Sequence, residues 1–114
     1  MRIYIASAYT KGDVAINVRN VILMADELVK LGHIPYIPHL THFWHLLSPK
    51  GVEFWYGYDL SFLEYWAEAL LRLPNESDGA DNEVRVAKYL NIPIYYGLED
   101  IPKPGCPQGS HKER

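Results

Sequence analysis

Residues 59–83, DLSFLEYWAEALLRLPNESDGADNE, decide the fold. They open on a helix face carrying Asp59, continue through the apolar run AEALLRL, turn at PNESDG and enter a second helical pattern with Glu83 near its start. The segment 69–73 is short and almost wholly apolar, as strands covered on both faces of a parallel sheet are. Helix, strand, loop and helix therefore bracket two acids. In a parallel α/β sheet ligands gather where strands end and helices begin, because backbone N–H groups and the helix dipole point there.

Working outward, residues 2–8 cluster Ile3, Tyr4, Ile5 and Ala6 into a β-prone run, the expected first and central strand. Asp13 is placed as an N-cap for a helix whose Val14, Val18, Val21, Ile22, Ala25, Leu28 and Val29 recur at helical spacing toward the sheet, with Gly32 as its C′ stop. Residues 33–38, HIPYIP, form a strand that Pro35 consigns to an edge, since proline cannot donate to a ladder. The stretch 39–57 is aromatic and turn-rich and reads as a partly helical functional or interface loop, followed by a helix at 58–66. After PNESDG, Val84, Val86, Ala87 and Leu90 mark a third helix, and residues 92–96 with Pro93 a fourth strand.

Strand and helix alternation predicts a doubly wound, flavodoxin- or Rossmann-like parallel sheet of four strands in order 2-1-3-4, with room for a fifth short element. Residues 1–102 make one domain, and 103–114, KPGCPQGSHKER, without apolar periodicity, read as a mobile tail. A formal net charge of −3 without a basic run gives no electrostatic footprint for nucleic acid. Cys106 is the only cysteine, so no intrachain disulfide forms, and a reducing cytoplasm fits. No apolar run reaches the ~18 residues of a membrane span.

The expected crevice lies between strands one and three, reached by residues 7–11 and 74–79, with Glu83 in the early turns of the following helix. Here Asp59-Leu60-x-x-Leu63 followed by Ser77-x-Gly79-x-x-x-Glu83 resembles the nucleoside 2-deoxyribosyltransferase-like superfamily, which includes 2′-deoxynucleoside 5′-monophosphate N-glycosidases. The resemblance implies a glutamate nucleophile at Glu83, assistance to the leaving base by Asp59 and orientation of the nucleophile by Tyr4. It also implies that Ser77 and Gly79 lie near a 5′-hydroxyl or phosphate.

Two carboxyls across a crevice are in any case what glycosidic cleavage requires, around an oxocarbenium-like transition state. The helix N-terminus is expected to keep Glu83 ionised, and a less polar setting to leave Asp59 its proton. The plain alternative makes Glu83 a solvated first-turn acid and Asp59 an N-cap. Ser7, Tyr9, Lys11 and His39 complete the expected substrate-binding set. His39, His42 and His45 stand at i, i+3 and i+6 without a convincing acidic or cysteine ligand, so they read as pocket-lining or capping residues and no metal is expected. With neither a Gly-x-Gly-x-x-Gly run nor a Walker loop, no cofactor is implied. Phe43, Trp44, Phe54, Trp55, Tyr56 and Tyr58 suit either base stacking or subunit contact, and a homodimer or larger assembly is expected. The expected partner is a nucleoside or nucleotide, acted on by a transferase or hydrolase or merely held by a non-catalytic nucleotide-binding module.

Overall fold

A computed structural model describes residues 1–102; the expected tail at 103–114 lies outside the described residues. The chain runs β1 (Arg2–Ala6), α1 (Val14–Lys30), β2 (Ile34–Tyr36), a 3-10 turn (Pro38–Leu40), α2 (Thr41–Leu47), α3 (Val52–Tyr65), β3 (Ala69–Arg72), α4 (Asp78–Tyr89) and β4 (Ile94–Tyr95). All strand pairs are parallel, in order β2-β1-β3-β4. The fold is the expected doubly wound one. Where a fifth short element had room, the described residues form a second 3-10 turn, Leu98–Asp100.

Strand alternation sorts the core into two layers. Ile3, Ile5, Ala69 and Leu71 pack with Val21, Ala25 and Leu28 of α1. Tyr4, Ala6 and Leu70 point the other way, against Leu63 of α3 and Ala80, Val84 and Ala87 of α4. Tyr4 is thus a fully buried tyrosine on a central strand, and its hydroxyl must find a partner on that face.

Asp13 caps α1 by accepting from the Ile16 N–H at 3.1 Å, and Gly32, with φ of 90°, ends it in the left-handed region. Ile22 and Val29, expected to face the sheet, are turned to solvent, because the seam at Val21, Ala25 and Leu28 already covers the sheet and residues one further along point about 100° away.

The helix expected at 58–66 begins at Val52, and the expected loop before it is largely α2 and the start of α3. Phe54, Trp55 and Tyr56 followed by Gly57 carry little helix propensity, so sequence gives no signal there. Packing supplies it: the Trp44 ring sits 5.1 Å from Trp55 and 5.5 Å from Tyr58, edge to face. Among the described residues no helix is long and apolar enough to cross a membrane.

Candidate functional site

Tyr4 and Tyr36 are register partners on β1 and β2, so their rings stand side by side, 5.6 Å apart, beneath α3 and α4. The Tyr4 hydroxyl donates to Glu83 Oε2 on α4, and the Tyr36 hydroxyl donates to Asp59 Oδ1 on α3 at 3.0 Å. Phe62, one turn beyond Asp59, stacks on Tyr36 at 4.0 Å and holds that ring in place. Two strand tyrosines therefore each hold one helix carboxyl, and Asp59 and Glu83 lie close enough for the charge of the first to act on the second.

Burial dominates the electrostatics. It raises Asp59 to about 6, opposed by the Tyr36 hydrogen bond. It raises Glu83 to about 7, opposed by the Tyr4 hydrogen bond, reinforced by the Asp59 charge and opposed again by Arg72. The expectation that a helix N-terminus keeps Glu83 ionised is overturned. Ser77 is the N-cap and α4 starts at Asp78, which puts Glu83 in the second turn, beyond the reach of the dipole. Asp59 is no N-cap either: Gly51 has that place, and Asp59 lies in the middle of α3. Both tyrosines have hydroxyls held far more strongly than usual, Tyr4 through burial and then the Glu83 charge, Tyr36 through burial and then the Asp59 charge.

The remaining expected residues are bound up where β1 and β3 end. Ser7 Oγ accepts from Asn75 Nδ2 at 2.7 Å, while Asn75 Oδ1 accepts from the Ala8 N–H at 3.0 Å. Ser77 Oγ accepts from the Ala80 N–H at 3.0 Å, and Lys11, exposed, pairs with Glu76. Gly79 lies exposed in the first turn of α4, where an added Cβ would meet only Ser77 Oγ at 3.9 Å. The Tyr9 hydroxyl bonds His42 Nδ1. His39 is buried, its Nε2 donating to the Ala8 carbonyl at 2.7 Å, and burial lowers its pKa. His45 Nδ1 instead accepts from Trp55 Nε1 at 2.9 Å, so the three imidazoles turn to different partners.

Tyr36, Arg72 and Asn75 escape sequence reasoning. Only the β1–β2 register puts Tyr36 beside Tyr4. Arg72 carried a signal, since a guanidinium in an apolar strand demands acceptors. It donates to Leu73 O at 2.6 Å, Asn75 O at 2.7 Å, Asn75 Oδ1 at 3.0 Å and Asp81 Oδ1 at 3.0 Å, fixing the loop that carries Ser77. Arg72→Met leaves those carbonyls without a donor, at ~1–3 kcal/mol for each buried group, so we expect a loss of ~2–4 kcal/mol in urea unfolding. A loss below ~1 kcal/mol would show that the loop stands without it.

Fold and site together define a small doubly wound α/β domain with a buried, tyrosine-held carboxyl pair. A family described as a domain of unknown function, DUF7768, matches residues 1–97, and the chain belongs to it. No curated protein sequence matches. Among solved structures, the chain is similar in fold to a 2-deoxyribosyltransferase from the psychrotolerant bacterium Bacillus psychrosaccharolyticus, with a TM-score of 0.63 and 21% identity, over 82% of this chain and 69% of that one.

Proposed function

We propose that this domain cleaves or transfers at the N-glycosidic bond of a (deoxy)nucleoside or nucleoside monophosphate. The observation that carries the reading is the pair of largely buried carboxyls, Asp59 and Glu83, each held by a tyrosine hydroxyl on one face of the sheet. The Glu83 carboxylate attacks C1′, the C1′–N bond breaks with its electrons going to the base, and Asp59 supplies the proton that the departing base takes up. Water or a second base then displaces Glu83 from C1′. The chemistry needs one proton on the pair, and Glu83, pushed up to about 7 against about 6 for Asp59, holds that proton first, so it passes from Glu83 to Asp59 as substrate binds and before Glu83 attacks. Tyr4 fixes the Glu83 oxygen that does not attack. Ser7, Tyr9, Lys11, His39, Ser77 and Gly79 surround the sugar and any 5′-phosphate, Lys11 exchanging Glu76 for the anion.

The test is incubation with the common deoxynucleosides and their 5′-monophosphates, with free base followed by chromatography. Release of base supports the reading; binding without release makes the domain a nucleotide-binding module whose acids are structural.

We further propose that the protein self-associates through α2 and the α2–α3 corner, where Phe43, Leu47 and Val52 are 70%, 89% and 85% exposed. Sedimentation at micromolar concentration is expected to return a dimer or larger species that Leu47→Glu dissolves, and a wild-type monomer would contradict it.

A further inference from the structure

A cleft of about 420 Å³ lies between α4 and the segments that follow β3 and β4, and neither Asp59 nor Glu83 is in its lining. The volume is within the ~300–1,000 Å³ typical of small-molecule sites. From α4, Asp81, Val84, Arg85 and Lys88 reach it at i, i+3, i+4 and i+7, which is one stripe of the helix. Glu83 stands two residues before Arg85, roughly 200° of helix rotation from it, and turns toward Tyr4 instead. Leu73 and Val84 give the cleft an apolar base, and Tyr96, just past β4, adds a ring that is 58% exposed. The charged lining is three cations, Arg72, Arg85 and Lys88, against the single carboxylate of Asp81.

That carboxylate is already engaged. Asp81 stands four residues before Arg85, the spacing at which an acid and a base pair along a helix. Its Oδ1 accepts instead from Arg72 Nε at 3.3 Å and Nη2 at 3.0 Å, because the buried guanidinium needs acceptors while the exposed one has water. Arg85 is left with a 3.5 Å contact to Asn82 Oδ1, and among the described residues neither Arg85 nor Lys88 forms an ion pair. Side chains three residues apart on a helix start about 5–6 Å from each other, so both cations can close on one anion, the guanidinium with two parallel N–H donors. Two cations match the roughly double charge of a phosphate monoester. Beside them, Asp81 Oδ2 lies outside the Arg72 pair on a side chain that is 56% exposed and can accept from a ligand hydroxyl, and Tyr96 offers a ring face to a sugar. We propose that this cleft binds the phosphate monoester of a sugar, with Arg85 and Lys88 on the phosphate and Asp81 and Tyr96 on the sugar. The site uses neither acid of the candidate active site, so it stands or falls apart from the glycosidic reading.

Inorganic phosphate and ribose 5-phosphate are titrated into the full wild-type chain, and adenosine 5′-monophosphate into Glu83→Gln so that no nucleotide is turned over, by calorimetry and amide-resolved NMR. The expected shifts gather at the amides of Leu73, Val84, Lys88 and Tyr96. Arg85→Gln combined with Lys88→Gln removes two exposed charges and is expected to weaken phosphate and ribose 5-phosphate at least about tenfold, with the urea midpoint unmoved. Lys11→Ala, at the phosphate end of the candidate active site, leaves that affinity as it was. Ribose 5-phosphate is expected to bind about threefold or more tighter than inorganic phosphate, and Tyr96→Ala to cancel that gain. Tighter binding of adenosine monophosphate than of ribose 5-phosphate would identify the ligand as a nucleotide, and equal binding as a sugar phosphate; both support the site. Failure of phosphate and ribose 5-phosphate to bind at millimolar concentration, shifts confined to the surroundings of Lys11 and Ser77, or unchanged affinity in the double variant overturns it. Ribose 5-phosphate binding no tighter than inorganic phosphate, or a gain that survives Tyr96→Ala, overturns the assignment of the sugar. The shift map on the wild-type chain needs no substitution, so it decides the site even where the double variant does not fold.

Discussion

Glu83→Gln is expected to abolish base release, lowering kcat on the order of 10⁴-fold or more, in a protein that still folds. An amide has no charge with which to attack C1′ and cannot form the glycosyl ester, so the loss belongs to the chemical step and substrate affinity should change little. The fold survives because the amide oxygen can still accept from the Tyr4 hydroxyl, which would otherwise be buried without a partner. Chromatographic rates and a urea unfolding curve on the same preparation check both halves. Residual activity within tenfold of wild type would remove Glu83 from the mechanism.

The same substitution is expected to stabilise the protein at alkaline pH. Glu83 is held at about 7 against an ordinary 4.5, mainly by burial, so the folded state binds its proton more tightly than the unfolded chain does. A group raised in this way contributes stability that is fully present below about pH 4.5 and is lost as pH rises through about 7. At ~1.4 kcal/mol per pH unit, that interval is worth ~3 kcal/mol. Glutamine has no proton to lose. The variant should therefore match wild type near pH 4 and exceed it by ~3 kcal/mol at pH 8, a Tm difference of ~10 °C or more for a domain of this size. Asp59, raised from 3.8 to about 6, adds a dependence of the same sign that Asp59→Asn removes. A stability difference between Glu83→Gln and wild type that stays flat from pH 4 to pH 8 would show that Glu83 is solvated.

The architecture was legible because its signals are local. Asp13 and Gly32 bound α1, Pro35 sends β2 to the sheet edge, and the apolar run around Leu70 and Leu71 could only be a strand covered on both sides. Tyr4, Asp59 and Glu83 come together in the sequence only through the family resemblance of the acid-bearing segment, since local pattern alone leaves both acids open to a structural role. What stayed hidden depends on register and depth. Tyr36 reaches Asp59 only because Ile3 pairs with Pro35 and Tyr4 with Tyr36, a pairing that a three-residue strand does not announce. Placing Glu83 in the second turn required knowing that Ser77 caps α4, and that one turn changes the governing influence from helix dipole to burial. The start of α3 was invisible because its aromatic residues favour a helix only once Trp44 packs on Trp55 and Tyr58.

The claim on which the account turns is a covalent bond between Glu83 and C1′. It is tested by mixing the protein with a 2′-fluoro-2′-deoxynucleoside, in which fluorine slows breakdown of the glycosyl ester, and reading intact mass followed by peptide mass spectrometry. The expected result is a mass increase of one fluorodeoxyglycosyl group, located on Glu83 and absent from Glu83→Gln. Base release with an adduct on another residue, or an adduct that persists in Glu83→Gln, would contradict the account.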